Sequence, residues 1–284
     1  MTQLPDNALE ELRSTVKPIA ALAEDSLEQA IKPVLDQLWA GLAKLQFPEL
    51  DLSIFSHIGQ QVLELQHRMA PVFERIAPLF ENLAQSFREL PPRTQHALLL
   101  LGTHGWYLDL QMSLPSLWRL QEALTDGDVA RTERTLCRYF TRRLSEIEDA
   151  LCSRFPHRSR IIGLAFKAHR RREYELSVPV LLAQTDGICK EMIGRYYFMG
   201  KNGKPGTATY VKQIAGDSLL AAFLSPLAQT LPIGASQRDR SEASEILNRH
   251  TVLHGDSLTY GTRESSLKTV SLINYVSQVL DWPR

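Results

Sequence analysis

Apolar side chains recur three and four residues apart over most of this chain, a spacing that fits helices and little else. Ile31, Val34, Leu35, Leu38, Leu42 and Leu45 keep it in one stretch. Ile58, Val62, Leu65, Met69, Val72, Phe73, Ile76, Leu79, Phe80, Leu83 and Phe87 keep it in a longer one. No alternation of apolar and polar residues lasts long enough to make a strand, so the reading is all-α. Pro18, Pro33, Pro71 and Pro78 fall inside the periodic stretches and predict kinks, because each removes a backbone donor. Long amphipathic helices are therefore expected over 9–90, ending at Pro91-Pro92. Their apolar stripe needs cover from the rest of the chain or from a partner helix.

Beyond the proline pair, helices are expected over 114–124, 129–152, 154–172 (a helix with a basic rim), 176–193, 219–231, 242–253 and 263–280. Asp126-Gly127-Asp128 and 254–261 are expected as connections, and 199–209 as a Gly/Lys loop. Gly102-Thr103-His104-Gly105-Trp106-Tyr107 reads as a turn with a packed tryptophan. Thr262 is placed to cap the last helix, with Glu264 in its first turn. The predicted organisation is a helical region over 1–150, serving a partner or regulation, and a helical bundle over 151–284.

The chain is electrically neutral as a whole, but residues 1–130 hold 9 basic against 17 acidic side chains and the remainder 23 against 15. The second part is thus the one suited to a polyanion. Its most basic stretch, 154–172, contains Arg158, Arg160, Arg170, Arg171 and Arg172, which are the candidate RNA contacts. Three scattered cysteines make no CxxC pair, so neither a zinc knuckle nor a disulfide framework is expected. No basic-then-apolar leader opens the chain, and no run nears the roughly 20 apolar residues that span a bilayer. A cytoplasmic protein that does not enter a membrane is expected. The loop from Gly200 to Thr207 lacks the order of a phosphate-binding P-loop. No cofactor is expected. His250 and His254 could face one metal, but with only Asp256 nearby as a third ligand none is expected there either.

The residues that point to chemistry are Asn248-Arg249-His250-Thr251-Val252-Leu253-His254-Gly255. Arg249 and His254 stand five apart, about 140° around a regular helix, and unwinding at Gly255 would let both reach one cleft. An imidazole suits proton transfer near neutral pH, and a guanidinium suits the charge of a phosphorane. Together they fit RNA cleavage by its own 2′-OH, a reaction whose nucleophile belongs to the substrate. The bland alternative has His254 closing the last helical carbonyls and Arg249 paired with Glu245 one turn earlier.

An R-x4-H motif with a polar residue after the arginine, late in a helical chain, resembles the HEPN superfamily. "NRHTVLHG" followed by "YGTRESSLKTVSLINYV" is similar to a HEPN tail. The resemblance reaches back to about Arg154, through "AFKAHRRREYELSVPVLLAQTDGICKE". It implies a HEPN-like bundle that homodimerises so that two motifs meet. It also implies metal-independent endoribonuclease activity, with His254 as general base or acid, Arg249 holding phosphate, and His250 orienting the motif or contacting RNA. Asp186 on a preceding helix and Asn248 are candidate helpers. A toxin or anti-phage effector, with RNA as target and an antitoxin or other protein as partner, is the implied setting. A non-catalytic HEPN adaptor binding protein or RNA is the alternative.

Overall fold

Residues 89–200, 204–214, 219–236 and 246–281 are described by the computed structural model, and among them every helix or strand assigned is a helix. The expected helices over 9–88, with the Ile58 to Phe87 stripe, lie outside the described residues. We number the helices α1 (89–103), α2 (Leu114–Thr125), α3 (Val129–Arg154), α4 (Ser159–Arg170), α5 (Tyr174–Ile193), α6 (Ala208–Ile214), α7 (Leu219–Leu224), α8 (Arg249–His254) and α9 (Arg263–Val279).

Several expectations need correction. The chain stays helical through Pro91 and Pro92. A proline's fixed φ is itself helical, so two prolines do not by themselves end a helix, although each removes a backbone donor. The helix expected over 219–231 stops at Leu224 and tightens into a 3-10 turn, Ser225–Leu227, where Pro226 cannot donate. The one expected over 242–253 is not continuous: Leu247 and Asn248 precede α8, Asn248 is extended (φ −129°, ψ 127°), and the helix proper is only six residues long. The basic stretch also breaks, into a 3-10 turn at Pro156–Arg158 and then α4. The expected boundary between residues 150 and 151 falls inside α3.

The core gathers around α9. This helix packs against α5 and α3, α4 lies against both of those, and α2 covers α3. The sequence of α9 reads as amphipathic, but every residue from Ser266 to Ser277 is buried. Leu267, Val270, Leu272, Ile273 and Val276 are fully excluded from water, each removal contributing roughly 1.5–3 kcal/mol. Its small polar residues make close approach possible without stranding hydroxyls. Thr269, Ser271 and Ser277 each donate to the carbonyl three residues back, at 2.7 Å in every case. Ser271 Oγ also accepts Tyr107 N–H (3.2 Å), and Gln278 Oε1 accepts Leu110 N–H (2.9 Å), fixing the turn after α1 to α9. Trp106 of that turn is buried and stacks on Phe140 of α3. Lys268 is buried between Glu133 of α3 (2.9 Å) and Glu264 (2.6 Å), so its charge is matched twice.

Candidate functional site

Asn248 makes α8 a helix. Its Oδ1 accepts His250 N–H (2.9 Å) and Thr251 N–H (3.2 Å), satisfying two of the donors a helix start leaves open. Its Nδ2 donates to Pro232 O (2.7 Å) and Ala235 O (2.9 Å) in the preceding loop. All four bonds are structural, so Asn248 positions the motif, and its amide is spent in doing so. At the other end Gly255 takes a left-handed φ of 77°, and Asp256 N–H and Ser257 N–H return to Thr251 O at 2.9 and 3.1 Å. Backbone donors thus close the helix without help from His254.

His254 is the last residue of α8 and is exposed. Among the described residues no hydrogen bond or ion pair engages its side chain. What touches it is His250, one turn earlier, with ring centroids 4.3 Å apart and planes inclined by 53°. Arg249 takes another direction. Its guanidinium lies over the Phe198 ring (5.6 Å to the centroid), and its buried Nε finds no acceptor among the described residues. No bond joins Arg249 to His254 among the described residues, and Glu245 lies outside them. The structure brings the two histidines together and seats the arginine beside them on the same short helix.

Asp186, on α5, accepts Phe198 N–H at 3.0 Å. Burial raises its pKa, against the opposing pull of backbone N–H groups from Phe198 and Tyr197 and of the Arg249 charge. It therefore holds the segment that carries the aromatic face under Arg249. Sequence reading missed Phe198 in this role, and it missed Tyr260 as well. Pro179 inside α5 leaves Glu175 O without its helical donor, and Tyr260 O–H supplies one at 3.1 Å. The loop that follows the motif is thereby tied to α5. Pro179 was the legible signal; its partner, 81 positions later by sequence, was not.

The five candidate RNA-contact arginines fare differently. Arg158 is consumed: Nε meets Glu191 (2.9 Å), and its other nitrogens donate to Gln184 Oε1 (3.0 Å) and Gly187 O (3.3 Å). A Cβ at Gly187 would stand 2.7 Å from that guanidinium, so a larger residue there would push the Arg158 side chain aside. Arg170 pairs with Glu148 (2.5 Å) and Arg171 with Glu173 (2.6 Å). Arg160 and Arg172 are exposed, with no ion pair among the described residues. Lys167 and Arg170 also sit in the last turn of α4, where positive charge complements the helix dipole.

Among the described residues no group of three or more His, Cys, Asp or Glu side chains is gathered as metal ligands would be. None of the helices searched there is long and apolar enough to cross a membrane. Cys137, Cys152 and Cys189 are free thiols, and only Cys189 is buried. No protein-family profile, curated protein or solved structure matches this chain.

Proposed function

We propose that this chain is a metal-independent endoribonuclease that cleaves RNA through attack by the substrate's own 2′-OH, working as a homodimeric HEPN-type toxin or anti-phage effector in the cytoplasm. The observation that carries the reading is the His250–His254 pair, 4.3 Å apart on α8 and beside Arg249. An exposed imidazole with no competing hydrogen bond is free to take the 2′-OH proton, and His254 has that position. Its neighbour His250 contacts the RNA or steadies the ring. Arg249 offers its terminal guanidinium donors to the phosphate oxygens, where charge grows as the 2′-oxygen bonds to phosphorus and the bond to the 5′-oxygen breaks, that oxygen leaving with a proton returned by an imidazole. DNA, lacking the 2′-OH, is inert by this route.

Single-stranded and transfer RNA incubated with the full chain in EDTA are the test. Cleavage is expected to persist in the chelator and to fall about 100-fold or more in His254→Ala, the usual scale for removing a general acid or base. Abolition by EDTA, or full activity in His254→Ala, overturns the mechanism.

One observation favours a second reading, a helical adaptor. Leu253, Leu258 and Met199 expose 40, 90 and 62% of their surfaces in and around the motif's segments. Function that survives loss of both Arg249 and His254, but not deletion of residues 1–90, would select it.

A further inference from the structure

A concave site lies where α4 ends and α9 begins. A cleft of about 620 Å³, within the range of small-ligand pockets, is lined by Thr141, His169, Arg170, Arg172, Tyr174 and Arg263. Three guanidinium groups face one space, and their charges are unequally matched. Arg170 is neutralised by Glu148. Arg263 donates to the uncharged Thr141 Oγ1 at 2.9 Å. Among the described residues, neither Arg263 nor Arg172 has a carboxylate partner. The carboxylates nearest in sequence are engaged elsewhere, Glu173 with Arg171 and Glu264 with Lys268.

The backbone at Arg172 adds a second observation. The end of α4 is a Schellman closure: Glu173 N–H returns to Ala168 O (2.9 Å) and Arg172 N–H to His169 O (3.0 Å). The residue at the left-handed position of this closure is normally glycine. Here it is Arg172, at φ 64°, the only non-glycine with positive φ among the described residues. The chain accepts strain at the position that aims this side chain into the cleft. The floor is polar and firmly held. His169, 5% exposed, has its Nδ1 on Ser266 Oγ (2.7 Å), which in turn reaches Ser177 Oγ (3.1 Å), and its ring meets Tyr174 edge to face.

We propose that this cleft binds a phosphate monoester, with Arg172 and Arg263 clamping the dianion between their guanidinium groups. Two uncompensated guanidinium groups match the nearly doubly negative charge of a monoester at neutral pH, and their forked donors match its oxygens. The site uses no residue of α8, so it and the proposed nuclease can fail separately.

The test is calorimetric titration of the full chain with inorganic phosphate, and with short RNA carrying either a 5′-phosphate or a 5′-hydroxyl. Phosphate is expected to bind saturably, and Arg172→Gly and Arg263→Gln are each expected to weaken it at least about tenfold. Arg119→Gln, on α2, is expected to leave it unchanged. Arg172→Gly is the telling variant, because glycine is the residue this backbone prefers and its thermal midpoint should not fall. Preference for the 5′-phosphorylated RNA assigns the monoester to an RNA end; binding of inorganic phosphate without that preference assigns it to a small phosphorylated compound. No saturable phosphate binding, or wild-type affinity in a folded Arg172→Gly or Arg263→Gln, overturns the proposal.

Discussion

α8 and α9 follow one another in the chain, and each opens with a capping side chain and an arginine, Asn248-Arg249 and Thr262-Arg263. The two helices nevertheless depend on different forces. α8 has six residues, too few to be stable by itself, and only Val252 among them is buried. It exists because Asn248 bonds forward to its first turn and backward to the loop at Pro232 and Ala235. α9 has 17 residues and is enclosed by its neighbours over most of that length. Its stability comes from packing, and its cap, Thr262 Oγ1 accepting Ser265 N–H at 3.0 Å, is a minor contribution. The comparison teaches that a motif offering chemistry to solvent can rest on a few hydrogen bonds, provided a buried helix nearby supplies the rigidity.

Substitution in α9 should have the largest effect. Ile273→Ala, at a fully buried position, is expected to cost about 3 kcal/mol, from lost transfer energy and the cavity left behind. Urea denaturation measures it, and a cost below about 1 kcal/mol would mean that α9 is less enclosed than the comparison requires.

The joint between α4 and α9 should make stability depend on pH, with an effect of similar or slightly smaller size. Burial lowers the pKa of His169 to about 4, and the charges of Arg263 and Arg170 push the same way. The unfolded chain therefore binds a proton here between about pH 6.5 and 4 while the folded one does not, so stability falls as pH drops through that window. The loss should approach about 2–3 kcal/mol by pH 4 and shrink in His169→Gln. An unchanged pH profile in that variant would place the imidazole in water.

Asn248→Ala should cost least, about 2 kcal/mol, since it removes one cap and leaves two loop carbonyls unpaired. Its effect on RNA cleavage should far exceed its effect on stability, because α8 frays while α9 stays intact. Full cleavage activity in Asn248→Ala would separate the motif's chemistry from its helical frame.

The helices from α2 to α5 and α9 were legible within a few residues, as was Thr262 as a cap. Each follows from periodicity and from a side chain reaching its own backbone, interactions confined to neighbouring positions. Asn248 was legible only as part of a motif; its reach to Pro232 and Ala235 was not. The pairing of His250 with His254 follows from one helical turn. The placement of Arg249 over Phe198 does not, because Phe198 arrives from another segment.

What the sequence determined by itself is thus local: an all-α chain, the limits of the longer helices, the Thr262 cap, and two imidazoles one helical turn apart. Tertiary structure alone decided that α9 is buried on every side, that Tyr260 answers Pro179, which arginines are spent on carboxylates, and that Arg172 and Arg263 share a cleft. The reason is physical. A helix's period and caps are set by atoms within about one turn. Burial and charge pairing are set by whichever distant segment the completed fold brings near.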